Sequence, residues 1–161
     1  MALSSSLERL GYGSDDGCVA TGIHREVVAV TASRTLLPSQ SGSLVTLGVA
    51  SGAVVTLPPA AEGMQFDFGV VVSRTSNSYK IICSSGDFLL GSYVATDAVV
   101  ANSGDVFTGN GTTHVALTFD GDTKGGLVGG RLRFTALSSS QWYVEGIVVG
   151  TGTLVDAFTT S

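Results

Sequence analysis

From Glu26 onward the chain is divided into short apolar runs of strand length, which are separated by Gly, Pro, Ser, Asn and Asp. Ten runs are candidate strands: 26–32, 43–49, 53–57, 65–73, 79–83, 88–95, 97–101, 113–119, 127–135 and 141–149. They recur about every ten residues, a spacing typical of a sandwich or barrel and not of alternating strands and helices. The pattern therefore predicts an all-β protein with a single β-sandwich or jelly-roll-like domain over residues 27–161.

The composition agrees with short strands and tight turns. The 161 residues are enough for one domain of ordinary size. Charged residues make up 13% of the chain and apolar residues 43%, which indicates a folded core and not disorder. The abundant β-branched residues favour strands, and the 22 glycines suit turns that need a positive φ.

Two of the runs alternate between apolar and polar residues, as expected for a strand with one buried face. In QFDFGV (65–70) and GRLRFT (130–135), the alternation directs apolar side chains to the core and charged ones to solvent or a partner. The run 141–147 has the same rhythm, so we predict that Trp142 lies in the core.

The apolar runs 70–72 and 147–149 lack this alternation, which predicts strands that are covered on both faces. The cover is either the protein's own core or a second subunit. For a subunit interface, the candidate residues are Phe68, Val70, Val72, Ile147 and Val149.

Residues 1–26 are interpreted as an N-terminal arm, because their glycines interrupt any regular period. An arm with apolar residues, and too short for a core of its own, is predicted to dock on a partner; a frayed terminus is the alternative. The candidate contact residues are Leu3, Leu7, Arg9, Leu10, Tyr12 and Arg25.

Charge and hydropathy exclude two classes of partner. A net charge of −5 and the absence of any Lys/Arg run argue against nucleic acid, which requires a basic surface. No stretch reaches the ~20 apolar residues that span a bilayer, and the N-terminus lacks the pattern of a signal peptide. We therefore expect a protein that folds in a cytosol, with neither nucleic acid nor a membrane as its partner.

No motif for catalysis or for a cofactor is present in the sequence. The G-x-S-x-G elbow, the G-x-x-x-x-G-K-[ST] phosphate loop and the G-x-G-x-x-G motif are all missing. A triad built on His24 or His114 stays open, because one sequence does not show which groups converge. We expect no enzyme activity and no cofactor.

Metal and disulfide chemistry also receive little support. Cys18 and Cys83 lie outside any C-x-x-C motif, so a reducing compartment is expected to keep them as thiols; a disulfide between them is the alternative. The segment from Asp120 to Asp122 has the oxygen-rich look of a Ca²⁺ loop, but Asp-Gly between apolar runs is also a common turn signal. We predict a turn and no metal.

The order of four segments resembles a known family. The segments are VTASRTL (30–36) followed by SGSLVTL (41–47), GAVVTLPPA (52–60) and GMQFDF (63–68), with YKII (79–82) and QWYVEG (141–146) similar to later strands of that family. The resemblance covers residues 30–149 and is to small bacteriophage proteins encoded beside the major capsid protein, the capsid decoration or cement proteins.

This resemblance implies a structural role. A member of that family binds the major capsid protein on the outside of the virion, as a symmetric homo-oligomer, and stabilises the head against the pressure of packaged DNA. It is made in the host cell cytoplasm, and a trimer is favoured over a dimer. The alternatives from other classes are a phage tail or receptor-binding module that recognises carbohydrate, and a small hydrolase.

Overall fold

The computed structural model describes residues 25–100 and 103–161, which form a sandwich of two β-sheets. The strands are β1 Val27–Val30, β2 Arg34–Thr35, β3 Leu44–Leu47, β4 Ala53–Thr56, β5 Gln65–Val70, β6 Tyr79–Ile82, β7 Phe88–Asp97, β8 Gly104–Asn110, β9 Ala116–Phe119, β10 Arg131–Ala136, β11 Gln141–Gly150 and β12 Phe158–Thr159. A short 3-10 helix spans Pro38–Gln40. The prediction of an all-β sandwich is confirmed.

One sheet has seven strands in the order β1-β3-β5-β10-β11-β7-β8, and the other has five in the order β12-β9-β6-β4-β2. The first six strands alternate between the two sheets, and within each sheet these strands pair in parallel. Parallel neighbours usually need a helical crossover. Here the crossover is a strand of the opposite sheet, so residues 27–82 wind around the core without an α-helix.

The second half of the chain completes both sheets with longer strands. β10 pairs antiparallel with both β5 and β11, and β11 pairs in parallel with β7 over ten residues. β8 then pairs antiparallel with β7 and ends the seven-stranded sheet. The two longest strands, β11 and β7, therefore lie side by side next to the end strand β8.

Aromatic side chains from the two sheets fill the core. Trp142 is fully buried, as predicted, and its ring lies 5.9 Å from that of Phe66. Phe68 packs edge-on against Phe134 at 5.1 Å, and Tyr93 lies 5.4 Å from Phe158 of the opposite sheet. Edge-on and tilted pairs of this kind add to the burial of apolar area.

The structure corrects one predicted strand and adds three that were not predicted, the short β2 and β12 and the longer β8. Residues 98–100, within the predicted strand 97–101, form a bend because β7 ends at Asp97, whose side chain accepts hydrogen bonds from the backbone N–H groups of Val99 and Val100. Within the described residues, no helix is long and apolar enough to cross a membrane.

Candidate binding surface

The outer face of the seven-stranded sheet, which points away from the five-stranded sheet, carries two rows of side chains that run across the strands. The charged row contains Asp67 of β5, Arg133 of β10 and Glu145 of β11, which are paired in register. The apolar row begins two residues further along β11, at Ile147, and continues across the neighbouring strands with Val94 of β7 and Val106 of β8. Strand alternation places both rows on one face.

Asp67 is the centre of the charged row, with a side chain that is only 1% exposed. One of its oxygens accepts a hydrogen bond from Arg133 Nε at 2.8 Å, and the other accepts hydrogen bonds from Arg25 and, at 3.4 Å, from Arg131. Arg25 also donates to the carbonyl oxygens of Gly42 and Ser43. Three guanidinium groups thus surround one buried carboxylate.

The arginines lower the pKa of Asp67 to about 2. Burial alone acts in the opposite direction, because it disfavours the charged form. Hydrogen bonds from Arg133 and Arg25, together with the positive charges of these residues, outweigh burial. The carboxylate is therefore ionised throughout the physiological range, and the cluster keeps an excess of positive charge.

This pKa shift predicts a loss of stability in acid. The pKa of Asp67 is about 2 in the folded protein and 3.8 in its ordinary state, so the folded protein binds this proton less readily than the unfolded chain. Its contribution, roughly 2 kcal/mol, is fully present above about pH 4 and is lost as the pH falls toward 2. Chemical denaturation at a series of pH values will show this loss. The unfolding free energy of an Asp67→Asn variant will fall less between pH 4 and pH 2 than that of wild type, because asparagine does not titrate.

An open depression of about 390 Å³ lies beside the carboxylate. Its lining residues are Asp67, Gly129, Arg131, Leu132, Arg133, Glu145, Gly146 and Ile147. Arg131 is the most exposed of the three arginines, at 65%, and its bond to Asp67 is the longest. Its remaining donors point to solvent, where they are free to pair with a carboxylate of a partner.

The apolar row is exposed, which is unusual for three adjacent strands. The exposed fractions are 50% for Ile147, 40% for Val94 and 66% for Val106. A contiguous apolar group of this kind on an otherwise polar face is typical of a protein interaction surface. The most exposed large apolar side chains within the described residues are all aliphatic.

Of the six arm residues that were predicted to contact the capsid, only Arg25 lies within the described residues. Leu3, Leu7, Arg9, Leu10 and Tyr12 lie outside the described residues. Arg25 was predicted to contact the capsid, but it donates its hydrogen bonds to Asp67 and to two carbonyl groups of its own chain. It ties the start of the β-sandwich to the outer face.

The five residues predicted for a subunit interface separate into two groups. Phe68 is 2% exposed and Val70 packs against the core, because the alternation of β5 directs both inward. Ile147 is half exposed, Val149 is partly buried on the same outer face, and Val72 is 38% exposed just beyond the end of β5. Only Val72, Ile147 and Val149 therefore have accessible surface for contact with a second subunit.

The residues considered from the sequence as candidates for a metal site, for catalysis or for a disulfide are placed as follows. The carboxylate of Asp120 accepts hydrogen bonds from the backbone N–H groups of Asp122 and Lys124 and from the hydroxyl of Thr123, which makes this segment a turn. His114 stacks on the ring of Phe158, with 5.3 Å between the ring centroids. Cys83 is buried, and burial raises the pKa of its thiol to about 12; Cys18 lies outside the described residues.

The charged cluster was not recognised from the sequence as a site. The alternation correctly directed Asp67, Arg131 and Arg133 away from the core, but it contained no information on which strands are neighbours. A scan against protein-family models, a search of curated proteins and a search of solved structures each found no match. The structure itself places the protein among all-β sandwich proteins, with one sheet face that carries a charged row and an exposed apolar row.

Proposed function

We propose that this protein is a structural virion protein, which binds the outer surface of a bacteriophage capsid and stabilises the shell. The observation that carries the proposal is the outer face, where Arg131 and the depression beside it adjoin an exposed apolar row. A surface that combines an apolar patch with an exposed Arg has the composition of many protein–protein interfaces. The ordered resemblance of residues 30–149 to decoration proteins supports the choice of a capsid as the partner.

The chemistry of the depression favours binding over catalysis. Its ionisable lining residues are Asp67, Glu145 and two arginines, and no Ser, Cys or His is among the described residues that line it. Asp67 is already neutralised by the arginines around it, which leaves it without the raised pKa of a general acid or base. The exposed guanidinium of Arg131 is available for an ion pair with an acidic residue of the major capsid protein.

A stabilising role needs only contact area and symmetry. Packaged DNA pushes the shell outward, and a protein that bridges neighbouring capsomers adds an interface that must break before the shell opens. If the protein binds as a symmetric homo-oligomer, each contact is repeated, and modest single contacts give tight binding through effective concentration.

A charge-removal variant tests the capsid contact. We expect Arg131→Gln to weaken binding to expanded heads that lack the protein by roughly tenfold or more, because an exposed Arg at the centre of an interface is a frequent hot spot. The matched control is Lys80→Gln, which removes a cation from the outer face of the opposite sheet. The measurement is cosedimentation with heads, with thermal unfolding to verify that both variants fold.

Equal binding by wild type, Arg131→Gln and Lys80→Gln would show that Arg131 is not part of the capsid contact and would remove the observation on which the proposal depends. Antibody labelling of whole virions distinguishes the alternative class, because a tail or receptor-binding module would be labelled on the tail and not on the head.

The arm supplies a second, independent contact in this proposal. Removal of residues 1–24, which keeps Arg25 and its bond to Asp67, is expected to reduce the amount bound to such heads while the melting temperature stays near that of wild type. Undiminished binding would show that Leu3, Leu7, Leu10 and Tyr12 are not capsid anchors.

A further inference from the structure

β8 is an open edge strand with unused backbone hydrogen-bonding groups. It ends the seven-stranded sheet and pairs only with β7 among the described strands. The backbone N–H of Asp97 donates to the carbonyl of Ser103, and that of Gly111 donates to the carbonyl of Leu89. In an antiparallel pair, hydrogen-bonded positions alternate.

This alternation identifies the groups that point away from β7. They belong to Gly104, Val106, Thr108 and Asn110, the last of which donates its N–H to His114 Nδ1 at 3.3 Å. Within the described parts of the chain, the N–H groups of Val106 and Thr108 form no hydrogen bond. The edge contains neither Lys nor Pro, two of the residues that commonly protect an edge from pairing, and Asp105 is its only charged residue.

We infer that β8 pairs with β8 of a second copy of this chain, antiparallel and around a two-fold axis at Val106. This inference rests on the homo-oligomer in the proposed function and gives it a two-fold contact, in place of the trimer that the resemblance favours. The pairing joins two seven-stranded sheets edge to edge, and backbone hydrogen bonds supply its geometry.

Charge and side-chain pattern select the register. An axis at Asp105, which is exposed, would place the carboxylates of two copies directly opposite each other. An axis at Phe107 would place Val106 opposite Thr108 and interrupt the apolar row. An axis at Val106 pairs Val106 with its copy, Gly104 with Thr108, and Asp105 with Phe107, so no like charges meet.

This register also makes the apolar row continuous across the dimer. Ile147, Val94 and Val106 of one subunit meet the same three residues of the other in reverse order. The exposed fraction of Val106, the largest of the three at 66%, is then covered by the partner strand. An isologous contact of this kind closes a dimer and leaves no free β8 edge for further growth.

Complementary charges at the axis test both the surface and the register. Wild type is expected to sediment at twice the 16.3 kDa chain mass, without any capsid present. Val106→Lys and Val106→Glu are each expected to shift to the mass of one chain, because the axis places like charges directly opposite. An equimolar mixture of the two variants is expected to return to the dimer mass, since each ammonium then faces a carboxylate.

The matched control is Val27→Lys on β1, the edge strand at the other end of the same sheet, where the valine is 58% exposed. This variant should remain a dimer. A monomeric or trimeric wild type, a dimeric Val106→Lys, or a mixture that stays monomeric would each overturn the inference. Because these measurements contain no heads, a protein that dimerises through β8 and fails to bind heads would refute only the proposed function.

Discussion

Asp67→Asn will lower the free energy of unfolding by about 3 kcal/mol, as measured by chemical denaturation at neutral pH. The substitution keeps the shape of the side chain but removes the charge that three guanidinium groups share. The amide nitrogen of asparagine is a donor, so it faces N–H groups where a carboxylate oxygen accepted their hydrogen bonds. The positive charges of Arg25, Arg131 and Arg133 are then left to repel one another.

The control for this prediction is Glu62→Gln, which removes an exposed carboxylate from the loop before β5. Its effect should fall within about 0.5 kcal/mol, as is usual for a surface position. If Asp67→Asn were as mild as Glu62→Gln, the cluster would be a set of weak surface ion pairs and not a structural centre of the outer face. The structure argues against that result, because the carboxylate of Asp67 is almost fully buried.

The sequence predicts most of the strands because their patterns are local. Alternation over 65–70 and 130–135 depends on neighbouring residues, and β5 and β10 form there. β8 escaped prediction because Gly104, Asp105 and Gly109 have low strand propensity, so β8 forms through its pairing with β7 and not through local preference. The open edge at β8 could therefore not be predicted from the sequence.

The binding surface depends on contacts that are distant in the chain. Asp67 and Arg133 are 66 residues apart, and they meet because β5 and β10 are neighbours in the sheet. Alternation predicts that both face outward, but it does not tell which outward residues share a row. The same limit applies to Ile147, which the sequence grouped with Phe68 in one apolar interface although the two side chains point to opposite faces.

Gly91→Ala will have a second large effect, because it disrupts the pairing of β7 with β11, the longest in the protein. Gly91 has a φ of +102°, and a Cβ added there would lie 2.3 Å from the carbonyl oxygen of Val144 and 2.8 Å from its nitrogen. Both are backbone atoms of β11, so a side-chain rotation does not relieve the overlap. Strain and overpacking together predict a loss of about 3 kcal/mol or more in unfolding free energy.

Gly86→Ala separates the two causes of this loss. Gly86 has a similar φ of +92°, but no atom lies within 4 Å of the position where its Cβ would be placed. Its substitution therefore carries the backbone strain alone, about 1–2 kcal/mol. Denaturation of both variants should show Gly91→Ala as clearly the less stable. Equal losses would mean that β7 and β11 move apart at little cost, contrary to their continuous ten-residue register.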